Sequence, residues 1–163
     1  MNGIDRMIKD IVDELKSSPY MVNRQVISGY RSAFADDPLR CDTVAVSLNA
    51  LEIKEGAFGG YFGTAAAGGE VCGRQAVLEL LLTAAVPKRT GGEGSQKLAA
   101  DIASAVMSSC FGGSVLALKV GKPDYDRGCG GLRLPIVLTL ICIVGVGAAD
   151  SGARYSDIVV KLK

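Results

Sequence analysis

Residues Glu70 to Val86 read EVCGRQAVLELLLTAAV. Taken with period two, Cys72, Ala76, Leu78, Leu80 and Leu82 share one face and Gln75, Glu79 and Thr83 the other, as in a strand with one side on a core. A helix over Leu78–Leu82 is the competing reading, and Thr83, Val86 and Pro87 disfavour it. At ~3.3 Å per residue the strand would extend on the order of 50 Å, well beyond the usual ~5 to 6 residues. A strand of that length is expected to protrude from its own domain.

Upstream lies Gly56–Gly69, a Gly/Ala-rich stretch without a charge, expected to be a mobile loop because ordering it costs entropy and buries little. It carries Phe58, Tyr61 and Phe62. Before it, Val44, Val46 and Leu48 alternate as a strand from Thr43, but the phase slips before Leu51 and Ile53, which predicts a bulge or bend near Asn49. Arg24–Tyr30 reads as a short strand and Phe34–Arg40 as a loop. At the start, Ile4, Met7, Ile8, Ile11, Val12 and Leu15 recur at offsets of three and four, the stripe of an amphipathic helix with Asn2 as N-cap and Pro19 beyond its end.

Downstream, Pro87–Gly94 (PKRTGGEG) reads as a loop. A second helix follows, with Ser95 as N-cap, a stripe of Leu98, Ile102, Ala105, Val106 and Ser109, and Gly112–Gly113 closing it. Strands are then expected over 114–120, 132–144 and 155–162, with a turn across 122–131. Helices grouped rather than alternating with every strand predict one α+β domain over residues 1–163: a mostly antiparallel sheet with a long protruding hairpin, packed against two helices.

Composition limits the chemistry. The chain has 163 residues, 18 Lys plus Arg against 17 Asp plus Glu, and no His, which removes every Ser-His, Cys-His and His-zinc mechanism. The near-neutral balance gives no overall field for a polyanion, although a local patch is compatible with it. Cys41, Cys72, Cys110, Cys129 and Cys142 include no two-residue spacing of a zinc or redox motif. With no secretory pattern at the start, they are expected to be mostly core thiols in a reducing cytosol, Cys129 being the exposed one. Leu134–Ala149 is uncharged but shorter than a ~20-residue membrane span, and its β-branched residues suit a buried strand, so no membrane partner is expected.

Three further features invite function. Gly91–Ser95 before a helix, with Lys88 and Arg89 upstream, could cradle an anion, but P-loop spacing is absent and Glu93 opposes phosphate. Asp124 and Asp126 could contribute to a cation site, yet a Pro/Gly turn favours the same residues for its own geometry. The aromatic Gly/Ala loop beside an overlong strand is either an ordinary hairpin folded on its own sheet or an arm that docks on a neighbouring subunit. The apolar composition, mean hydropathy +0.28, favours the arm, with Phe58, Tyr61, Phe62, Leu78 and Leu80 at the subunit contact.

Ala84–Val106 (AAVPKRTGGEGSQKLAADIASAV) and Val115–Leu140 (VLALKVGKPDYDRGCGGLRLPIVLTL), in order after an amphipathic helix and a long hairpin, resemble the tail terminator (tail completion) proteins of tailed bacteriophages and prophages. The resemblance implies a non-enzymatic structural subunit without cofactor or metal. Such a subunit forms a ring, usually hexameric, on the tail tube, receives the head-side connector, and lets DNA pass as cargo. It also implies assembly in the host cytoplasm and residence in the virion tail. On this expectation Lys88 and Arg89 sit on a loop facing the tube or the lumen. The reading from another class is a small anion- or nucleotide-binding domain or enzyme built on the Gly91–Ser95 helix start; another neck or tail joint protein of similar fold is the third.

Overall fold

The computed structural model describes residues 3–29, 39–54, 61–64, 70–128, 130–147 and 158–162. The helical stripe at the start becomes α1 (Gly3–Ser17), with Met7, Ile11, Val12 and Leu15 buried beneath it. Four strands follow: β1 (Gln25–Ser28), β2 (Thr43–Ile53), β3 (Tyr61–Thr64) and β4 (Glu70–Pro87). Then come α2 (Gly91–Ser108), β5 (Val115–Val120), β6 (Asp124–Asp126), β7 (Gly131–Gly147) and β8 (Ile158–Leu162). All eight strands join one sheet, ordered β1-β2-β4-β7-β5 along its main path, and only the β1–β2 pair is parallel. The α+β architecture with a mostly antiparallel sheet is therefore as the sequence predicts. Two short strands were not expected: β3 lies inside the Gly/Ala stretch, and β6 inside the turn before β7.

β4 and β7 make the spine of the sheet. They pair without interruption from Val71↔Gly147 to Pro87↔Gly131. Leu78↔Leu140, Leu80↔Leu138 and Leu82↔Ile136 meet on one face, and all six side chains are completely buried. This face receives Leu98, Ile102, Ala105 and Val106 of α2 and the apolar stripe of α1, in one continuous core. Pairing both edges of so long a strand satisfies its backbone groups along most of its length. β2 covers Ala76–Ala85 on one edge of β4, and β3 continues along it at Glu70–Cys72. On the far edge of β7, β6, β5 and β8 follow one another. Where β4 outruns β2, the sheet is thus still four strands wide, β3-β4-β7-β8.

The phase slip near Asn49 is a β-bulge. Leu48 pairs with Leu80 and Ala50 with Glu79, so Asn49 is the additional residue, and Leu51 returns to the helix side opposite Leu78. The apolar run from Leu134 is part of β7 as far as Gly147, and no helix among the described residues is long and apolar enough to cross a membrane.

Arg24 ties the layers together. Its guanidinium donates to the Tyr20 carbonyl and to the Asp101 carboxylate on α2, and lies 3.7 Å from Asp42, just before β2. The Arg24 side chain is only 12% exposed, so these partners compensate a charge largely removed from water.

Candidate assembly surface

Because β4 and β7 alternate strictly, the residues between their buried leucines point to the other side of the sheet. There Val77 lies opposite Ile141, Leu81 opposite Val137, Gln75 opposite Ile143 and Glu79 opposite Thr139. Val77, Leu81, Val137, Ile141 and Ile143 are each only half-buried. Both helices pack on the opposite face, so this one carries aliphatic side chains with no helical layer over them among the described residues. Asn49, freed by the bulge, donates from Nδ2 to Glu79 Oε2 at 3.1 Å on this side. On β5, the last strand of the main order, Leu116 and Val120 are 54% and 50% exposed. Half-exposed aliphatic surface with a polar margin is compatible with contact to another protein.

Leu78 and Leu80, expected at a subunit contact, lie instead on the helix side at 0% exposure and cannot meet a partner. The correction has a simple cause: the run Leu80-Leu81-Leu82 puts leucine on both faces, and the helices cover the even-numbered one. The interface-capable residues of the same strand are Val77 and Leu81. Tyr61 begins β3 opposite Cys72, and Phe62 follows it in that strand. Phe58 lies outside the described residues, as does most of the stretch expected to be mobile.

The helix start differs from its expectation as well. α2 begins at Gly91, after a 3-10 turn over Lys88–Thr90, so most of the anticipated loop is helical. Ser95 sits inside the helix, 3% exposed, its hydroxyl donating back to the Gly92 carbonyl at 2.7 Å. It cannot serve as N-cap. At the cap position, Thr90 donates its hydroxyl to the Pro87 carbonyl at 2.7 Å and makes no capping bond with its side chain. At the other end Ser109, not Gly112 or Gly113, caps α2; the two glycines open a 3-10 turn before β5.

Lys88 and Arg89 are both exposed. Lys88 Nζ stands 5.8 Å from the centroid of the Tyr125 ring, and Arg89 Nη2 donates to the Arg40 carbonyl at 3.0 Å. Beside Tyr125 a cavity of about 350 Å³ opens on the helix-free side, lined in part by Leu81, Thr83, Lys122, Arg127 and Pro135. The two aspartates here serve the turn. Asp126 accepts from the Gly128 N–H at 2.9 Å and pairs with Arg133 at 3.0 Å, while Asp124 accepts from the Tyr125 N–H at 2.8 Å. No group of three or more potential metal ligands occurs among the described residues.

Cys129 lies outside the described residues, and it is not the sole candidate for an exposed thiol: Cys41 and Cys110 are exposed, while Cys142 is buried as a core residue. Cys110 follows α2, and its N–H donates to Glu14 Oε1 at 3.0 Å. Local burial first, and then the Glu14 carboxylate, push its thiol pKa up; burial does the same for Cys142. A reactive thiolate is disfavoured at both positions.

No model of a known protein family and no curated protein matches the chain.

Proposed function

We propose that the chain is a structural subunit that assembles with copies of itself, and that it acts as a tail terminator of a tailed bacteriophage or prophage. The observation that carries the reading is a sheet whose helices, among the described residues, pack on one side only: Val77, Leu81, Val137 and Ile141 form an aliphatic strip in register, half-exposed, with no described helix over it. A subunit that completes such a face against its neighbour gains stability on assembly and needs no catalytic group. The order of helix, long hairpin, helix and closing strands supports the same reading through the resemblance of Ala84–Val106 and Val115–Leu140. In this account the protein works without enzyme activity or cofactor. Its partners are further copies of itself in a closed head-to-tail ring of six, together with the tail tube protein and the head-tail connector. DNA passes through.

Heterologous contacts of one kind close into such a ring when the rotation per subunit completes a full turn. Tyr61 and Phe62, on the four-stranded end of the sheet, and Phe58 before them are assigned to the contact between neighbours. The alternative built on an anion at Gly91–Ser95 loses its cap residue, since Ser95 is enclosed within α2. The test is particle assembly. Without this chain, heads and tails should accumulate unjoined, and the paired change Phe58→Ser with Phe62→Ser should reproduce the defect. Joined, infectious particles formed without the chain would overturn the function; normal joining by the paired variant would remove the aromatic contact alone.

A further inference from the structure

We infer that the end of the sheet around Tyr125 is a contact surface for the phosphate backbone of nucleic acid. Six basic residues converge there from four separate segments: Arg40 before β2, Lys88 and Arg89 after β4, Lys122 and Arg127 around β6, and Arg133 in β7. The convergence is fixed by contacts. Pro87 and Gly131 end the β4–β7 ladder side by side, β6 pairs with Gly131–Arg133, Lys88 stands over Tyr125, and Arg89 holds the Arg40 carbonyl. Against these stand Asp42, which faces Arg24, and Glu93, Asp124 and Asp126. Asp126 is paired with Arg133, whereas Arg40, Lys88, Arg89, Lys122 and Arg127 have no carboxylate within ion-pair distance among the described residues.

Among the described residues, this end of a near-neutral chain therefore carries more basic than acidic side chains. Arginine forks and lysine ammonium groups suit phosphate oxygens, and Tyr125, 45% exposed, adds a ring for sugar or base contact. Cations with an exposed aromatic among them favour nucleic acid over an acidic protein. Recognition of phosphates would be independent of sequence and sensitive to salt. The inference goes beyond the assembly reading and does not require a ring, since one protomer holds all six residues.

The test is fluorescence anisotropy of the full chain with a labelled duplex DNA of about 20 base pairs. If about four phosphates are neutralised, affinity should fall roughly a hundredfold between about 50 and 200 mM salt. Replacing Lys122→Glu and Arg127→Glu together should weaken binding at least about tenfold at the lower salt and reduce the salt slope by about 2. The same reversal at Lys9 and Lys16, exposed on α1, should leave binding unchanged. Circular dichroism of both variants checks that the fold is retained. Absence of duplex binding at low salt, equal loss in the α1 variant, or competition by polyglutamate as effective as by unlabelled duplex would overturn the inference, the last result assigning the patch to an acidic protein.

Discussion

Leu80 and Leu81 are neighbours with opposite environments, and that contrast can be measured. Leu80 is completely buried opposite Leu138, beneath the helices. Leu80→Ala removes three carbon atoms from a filled core, at about 3 to 4 kcal/mol for lost transfer energy plus the residual cavity. For a chain of this size that lowers Tm by roughly 10 °C. Leu81, opposite Val137 on the helix-free side, is half-buried. Leu81→Ala should therefore cost only about 1 kcal/mol in the isolated protomer. Urea titration followed by circular dichroism, at a protein concentration where light scattering gives the monomer mass, reads both values. Equal costs, or a larger cost at Leu81, would refute the assignment of faces and with it the assembly surface.

Arg24→Ala should destabilise the fold by about 3 kcal/mol in urea titration, because it leaves the Asp42 and Asp101 carboxylates without their shared cation; Asp101→Asn should cost less. The raised thiol pKa at Cys110 means less thiolate at pH 8, so iodoacetamide followed by mass spectrometry should label it more slowly than a free-cysteine peptide. Glu14→Gln should accelerate that labelling, though only in part, since burial is the larger cause. Gly131→Ala places a methyl group against the Val86 carbonyl and should cost at least about 2 kcal/mol, whereas Gly92→Ala meets open space in the first turn of α2 and should be neutral or stabilising by roughly 0.5 kcal/mol, both read from thermal unfolding. Deleting Asn49 converts the bulge into a regular strand with Leu51 still opposite Leu78, so it should change stability by less than about 1 kcal/mol; loss of folding would contradict the register.

How far the sequence could be read follows from what each signal contained. Period two identified β4, and the slip between Leu48 and Leu51 located the bulge, because both are local patterns. Which face of β4 is closed was not legible: Val77 and Leu81 are as apolar as Leu78 and Leu80, and only the position of the helices separates them. Gly91–Gly94 resembled a loop, yet glycine costs least where the first helical turn lacks intrahelical partners, and that let α2 begin before Ser95. The basic cluster was invisible for a different reason. Arg40, Lys88 and the Lys122–Arg133 hairpin are far apart in the chain, and the β4–β7 ladder with β6 brings them to one end.

The most direct test of the central claim is the solution mass, by light scattering over a range of concentrations, of the native chain and of the double variant Leu81→Asp, Val137→Asp. The account predicts that the native 16.9 kDa chain forms a discrete assembly and that two carboxylates on the helix-free strip return it to a folded monomer. An assembly that persists unchanged in the double variant, or a native chain that stays monomeric at every concentration and on the tail tube, would contradict it.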